Sequence, residues 1–270
     1  MFRKYLGSGL LVLAGIAARG DVPSLDDAYR QMYNLQFENA HRTLEQYERF
    51  RPDDPLGPVS EAAAYLFAEF DRLHILQAEF FTDDSHFRGD AKLTPDPVIK
   101  QRFEAAIARA QQLSAKALQK TPGDKNAQFA DILRMGLHSD YLALIEKKYL
   151  PALAEMKQGR SVAESLLAKD PTYYDAYLAI GAENYILSQK PAPVRWILHM
   201  TGSATDKTEG VNKLRLTAEK GHYLLPYARL LLAVAALRDG DVKQARTILQ
   251  DLAREFPRNP LYGQQLAQLR

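Results

Sequence analysis

Four side chains able to hold a divalent cation crowd one short stretch, FFTDDSHFRGD at 80–90: Asp83, Asp84, His86 and Asp90, with His74 a little upstream. Carboxylate and imidazole groups are suitable ligands for such ions. The EF-hand order of acidic positions and its glycine are missing. A solvated loop in which Asp83 or Asp84 opens a turn accounts for the same residues, so no metal is expected. A second stretch, MTGSATDKTEG at 200–210, has the composition of a phosphate cradle. A phosphate loop needs a preceding strand and glycine before its lysine, whereas Asp206 precedes Lys207 and PVRWILHM reads as a short helix. Asp206 is better used as the cap of the next helix, with Glu209 completing a capping-box pair.

His199 and His222 flank that helix and, with Ser203 and Asp206, suggest nucleophilic hydrolysis. The nucleophile elbow is absent and no strand could present one. Glu38, Glu45 and Glu48 read as a solvated helix face paired with residues such as Arg42 and Arg49, since glycoside hydrolysis needs two carboxylates across a cleft. No catalytic residue and no cofactor is expected, and the chain is read as non-enzymatic.

The elements that position these residues are helical. The chain has 270 residues, 46% hydrophobic and 25% charged, with net charge +2 and no cysteine. That suits a globular protein. It excludes thiolate chemistry and gives no clustered positive charge for nucleic acid. The first 20 residues combine Arg3 and Lys4, an apolar run from Leu6 to Ala18, and small residues before Asp21. This is the order of a secretory signal, and it predicts a periplasmic or cell-envelope protein with a single domain over 21–270. Residues 61–81 place Ala63, Leu66, Phe67, Phe70, Leu73, Leu76 and Phe80 at steps of three and four, one face of a helix. Similar spacing predicts about eleven antiparallel helices, at roughly 24–34, 37–50, 58–82, 97–121, 124–147, 150–169, 173–189, 193–200, 206–219, 223–238 and 241–255, with a further short one from 259.

Several helices end alike, at Pro52, Pro122, Pro171 and Pro257. Phe37, Ala40, Leu44 and Pro52 share their intervals with Val242, Ala245, Leu249 and Pro257. Tyr177, Ile180, Gly181 and Tyr185 add a first-helix pattern, with Asn184 where an aromatic is usual. These residues resemble the tetratricopeptide repeat, a 34-residue helical hairpin. Residues 190–237 also resemble the tetratricopeptide-repeat-39 family and its bacterial relatives, through Trp196, Ile197, Leu198, Gly202, Asp206, Gly210, Ala218, Gly221, Ala228 and the 230–232 leucines. The resemblance implies an all-α, tetratricopeptide-like solenoid that acts as a non-enzymatic scaffold.

The expected working surface is the concave wall, where Tyr29, Tyr33, Tyr65, Tyr177, Tyr185 and Tyr227 fall at first-helix positions and offer stiff amphipathic contacts. Tyr65, Asp175, Tyr177, Asn184 and Tyr185 are the candidate contacts for a protein or peptide partner. The alternative is a cavity for a small apolar ligand or lipid between the Phe- and Leu-rich helices of 58–147. The two differ in whether the aromatic face of 61–81 is covered by its neighbours or opens onto an internal space.

Overall fold

The computed structural model describes residues 23–76 and 93–269. The signal-like segment, Phe80 and the acidic cluster of 83–90 lie outside them. Among the described residues there are twelve α-helices and no strand. The first six are α1 (Leu25–Tyr33), α2 (Phe37–Phe50), α3 (Leu56–Arg72), α4 (Pro97–Lys120), α5 (Lys125–Asp140) and α6 (Tyr149–Lys169). They are followed by α7 (Tyr177–Ser188), α8 (Ala192–Met200), α9 (Lys207–Lys220), α10 (Leu225–Arg238), α11 (Val242–Glu255) and α12 (Pro260–Gln268).

Short polar residues start many of these helices by satisfying first-turn amides that have no intrahelical acceptor. Ser24 accepts from Asp27 N at 3.1 Å, Asp124 from Ala127 N at 3.0 Å and Asp241 from Gln244 N at 2.9 Å. Asp96 accepts from the amides of Val98 and Ile99, with Pro97 at the position where an amide would have been an orphan. Asp206 caps α9 as expected, accepting from Glu209 N at 3.0 Å. The reciprocal half of the capping box is replaced, because Asp206 N donates to Asn184 Oδ1 at 3.0 Å.

Among the described residues, five helical ends close with a left-handed residue, at Leu35, His74, Lys147, Gly202 and Gly240. This explains why the helix expected over 58–82 stops at Arg72. His74 takes φ 58, its amide bonds Asp71 O at 3.0 Å, and Ile75 N bonds Phe70 O at 2.7 Å. That is a Schellman ending, which buries an apolar residue just beyond the helix. Ile75 is that residue, fully covered, so apolar spacing continues past a real stop. The helix expected over 124–147 likewise changes at Asp140 into a π-turn, Tyr141–Ile145. That over 173–189 opens with a 3-10 turn, Tyr174–Ala176. The helix that exceeds the expected eleven is the short C-terminal α12.

Consecutive helices pack as neighbours from α1 to α7 and from α9 to α12, while α7 packs mainly on α9 and leaves α8 outside. No residue of α8 is buried, and Val194, Trp196, Ile197 and Met200 all face solvent, Trp196 at 65% exposure. The α7–α9 contact brings the two backbones together at paired glycines. A Cβ built on Gly210 would sit 2.6 Å from Tyr185 N, and one on Gly181 would sit 2.9 Å from Leu214 N.

The first hairpin also meets the last. Tyr33 Oη donates to Tyr223 O at 2.7 Å, and Tyr29 stacks on Tyr223 with ring centroids 4.8 Å apart. Asn259 Nδ2 donates to Tyr33 O at 2.9 Å, and Arg258 N donates to Asn34 Oδ1 at 3.1 Å. The array therefore turns back on itself, with the inner faces of alternate helices directed at a common interior.

Candidate functional site

That interior is a cavity of about 190 Å³. Its wall comes from one side of each inner helix. α1 supplies Tyr29 and Tyr33, α3 Phe67 and Phe70, α5 Leu133 and Leu137, α7 Leu178, Ala179 and Ile186, and α10 Tyr227 and Leu230. Leu249, Leu261 and Tyr262 close it from the C-terminal helices. The helical period places these residues together: in α3, Ala63, Phe67 and Phe70 fall on the cavity stripe, while Leu66 is buried elsewhere in the core. Phe67 and Tyr227 meet edge to face across the space, 5.8 Å between centroids. Gly136 of α5 faces the cavity with no heavy atom within 4 Å of where its Cβ would be.

One ionisable group on this wall has no partner among the described residues. Asp140, the last residue of α5, lines the cavity at the start of the π-turn. It is half-buried, bordered by the cavity, and desolvation there pushes its carboxyl up to about 7. The other polar groups are engaged or neutral. Ser139 Oγ donates to Ala152 O at 2.9 Å. Burial raises the phenols of Tyr29, Tyr33, Tyr227 and Tyr262 above their ordinary value, with the charge of Asp140 a secondary cause at Tyr227. Asp175 is buried and held by three amides: its Oδ1 accepts from His222 N at 2.8 Å and Leu224 N at 3.2 Å, its Oδ2 from Tyr223 N at 3.0 Å.

The five candidate partner contacts do not share one surface. Tyr65 packs at a tilt against His41, centroids 4.2 Å apart, in an outer groove of α2, α3 and α4 that also carries Glu61, Arg102 and Arg109. Asp175 reaches the inner cavity but spends its oxygens on the 221–224 connection. Tyr177 is half-buried, donates to Pro171 O at 3.2 Å and lies under Lys213 Nζ. Asn184 is buried; it donates to Ile180 O and anchors the 203–206 segment. Tyr185 is buried against Leu214, Leu231 and Ala235. Of the inner-wall tyrosines expected from the sequence, Tyr29, Tyr33 and Tyr227 do line the interior.

The remaining chemical candidates are dispersed. His222 Nε2 lies 2.5 Å from Asp26 Oδ1 on the exposed rim of α1, His199 is exposed, and Ser203 is the buried residue of the 200–206 segment. That segment is clamped by Ala204 N donating to Glu183 Oε1 at 3.1 Å and by Lys157 and Arg160 donating to Thr201 O and Gly202 O. All of these contacts are to its own protein groups. Glu45 pairs with Arg49 at 2.5 Å as expected of a solvated face, but Glu48 reaches Arg109 of α4 and Arg42 turns to Asn39.

Sequence reasoning passed over Asp140. Its signal was available: Leu133, Leu137 and Asp140 step by four and three, so a carboxylate stands on an apolar stripe where a hydrophobic residue is the default.

No family model, no curated protein and no solved structure matches this chain.

Proposed function

We propose that this protein is a non-enzymatic carrier that holds a small apolar molecule in its central cavity, on a tetratricopeptide-like frame of helical hairpins. The observation that carries the reading is the wall itself: Phe67 of α3, only half-buried, and Phe70 beside it border an internal space walled mainly by apolar side chains. Apolar cavities of roughly 150 Å³ stay dry and take up benzene-sized ligands, and this one is about 190 Å³. The alternation of inner and outer helices and the closely packed glycines support the tetratricopeptide-like description. The secretory order of residues 1–20 supports export to the periplasm or cell envelope, where apolar molecules must be shielded as they cross water. Among the described residues no helix is long and apolar enough to span a membrane.

Gly136→Leu tests the carrier reading. The new side chain extends into the cavity, and replacing a mid-helix glycine also removes a backbone-entropy cost of roughly 0.5–1 kcal/mol. The variant is expected to melt no lower than the parent and to lose the fluorescence enhancement of N-phenyl-1-naphthylamine, a neutral apolar dye. Retention of full dye binding by a stably folded variant would remove the cavity as the binding site.

A second reading, a scaffold for a protein partner, keeps one observation in its favour: the solvent-facing apolar side of α8 around Trp196 and Ile197. Large exposed apolar residues grouped on one element mark interaction surfaces. A photo-crosslinker at position 196 that captures no envelope protein would set this reading aside.

A further inference from the structure

The chemistry of the cavity wall restricts what it accepts, and the restriction comes from Asp140. An ionised carboxylate in an apolar surround is costly unless it takes a proton or meets a positive charge. We propose that the ligand of the cavity is a small apolar molecule carrying a single protonated amine, whose ammonium group pairs with the Asp140 carboxylate while its hydrocarbon part fills the space against Phe67 and Leu137. This inference rests on the carrier reading and names its ligand class.

The rest of the wall supports the selection. The phenols of Tyr29, Tyr33, Tyr227 and Tyr262 face the cavity without charge. Asp175, on the segment leading into α7, is capped by three amides and has no free oxygen for a ligand cation of its own. α3 and α6 contribute no ionisable group to the lining: Glu69 turns away to bond Arg72 and Asp96 N, and Glu155 pairs with His138. From α7, Glu183 is turned to Ala204 N. No cationic side chain lines the cavity among the described residues, so an anionic amphiphile would meet like charge at Asp140 and find no compensating cation. A neutral ligand would leave the carboxyl protonated and gain only the apolar contacts.

The pairing has a pH signature. Without ligand the carboxyl holds its proton up to about 7. An ammonium ligand displaces that proton, so amine binding strengthens as pH rises through 7 and weakens below it. The same raised value means that the empty protein loses stability over that range, because the folded state binds the proton more tightly than the unfolded one.

Benzylamine and benzyl alcohol, nearly equal in size and shape, separate the claims by calorimetry on the full chain. At about pH 8, benzylamine is expected to bind roughly tenfold or more tightly than benzyl alcohol, a difference of about 1.4 kcal/mol or more. The amine remains protonated at about pH 5, so loss of the preference there reports the protein's carboxyl. Asp140→Asn is expected to abolish the preference at about pH 8. Equal binding of the two by the parent at high pH, or an unchanged preference in Asp140→Asn, overturns the inference and leaves the carrier reading standing. Failure of benzylamine, benzyl alcohol and the neutral dye alike to bind overturns the carrier reading itself. The parent's own pH dependence keeps the test decisive whether or not the variant folds.

Discussion

Replacing Gly210 with alanine is expected to lower the urea midpoint of unfolding, with a net loss on the order of 2 kcal/mol. Two effects of opposite sign compete. Removing glycine from the interior of a helix favours folding by up to about 1 kcal/mol. Overpacking a closed contact costs about 1–3 kcal/mol and sometimes more. Here the added carbon would lie 2.6 Å from Tyr185 N, 3.0 Å from Gly181 O and 3.0 Å from Asn184 Cβ. Two of these are backbone atoms of α7, which cannot rotate aside as a long side chain would. The helices must separate, and α7 and α9 share the 203–206 clamp through Glu183 and Asn184, so the disturbance spreads. Gly136→Ala is the control, since open space surrounds that position and only the propensity gain applies. A rise in midpoint for Gly210→Ala as large as that for Gly136→Ala would show that α7 and α9 do not approach this closely.

Asp175→Ala is expected to cost more, roughly 3–5 kcal/mol, measured as the drop in unfolding free energy by circular dichroism. The side chain accepts from three successive amides of the connection between α9 and α10. Each buried donor left without an acceptor costs about 1–3 kcal/mol, and the three lie too close together for their costs to add in full. Water cannot easily substitute, because Tyr29 stacks on Tyr223 and the Tyr33 hydroxyl bonds Tyr223 O at this point. Asp175→Asn keeps one acceptor oxygen but turns an amide donor towards an amide donor, so an intermediate loss is expected. A loss below about 1 kcal/mol for the alanine variant would mean that solvent reaches the connection.

Periodicity made the helices legible, because an apolar residue every three or four positions has one physical solution over most of this chain. It failed at helix ends of a particular kind. Leu73, Leu76 and Phe80 keep the three-four spacing past Arg72 and so prolonged the apparent helix, although a Schellman ending that buries Ile75 stops it there. It also failed at the α5 π-turn, where Tyr141, Leu142, Leu144 and Ile145 remain buried although the hydrogen-bond ladder has changed. Gly181 was readable as a close-packing position, but its partner proved to be Gly210 on α9 rather than the next helix, since nothing in local spacing shows that α8 is left outside. Tyr29, Tyr33 and Tyr227, read as first-helix residues, line the interior. Asp175 and Asn184 were chosen as groove residues of polar type. Their oxygens instead bind backbone amides more than 20 positions away in sequence, a pairing that only the closed fold brings together.

The contact between the first hairpin and the last has a consequence for how the molecule comes apart. A linear stack of hairpins has two free ends, requires polar capping units there, and melts inward from them. Here Tyr33 and Asn34 serve as the end cap for α11 and α12, and the 256–259 turn serves as the end cap for α1. Neither end of the described array can fray without exposing the other, so the two share one seam and open together. A circular permutant that joined residues 24 and 268 and was cut at another connection would preserve every one of these contacts.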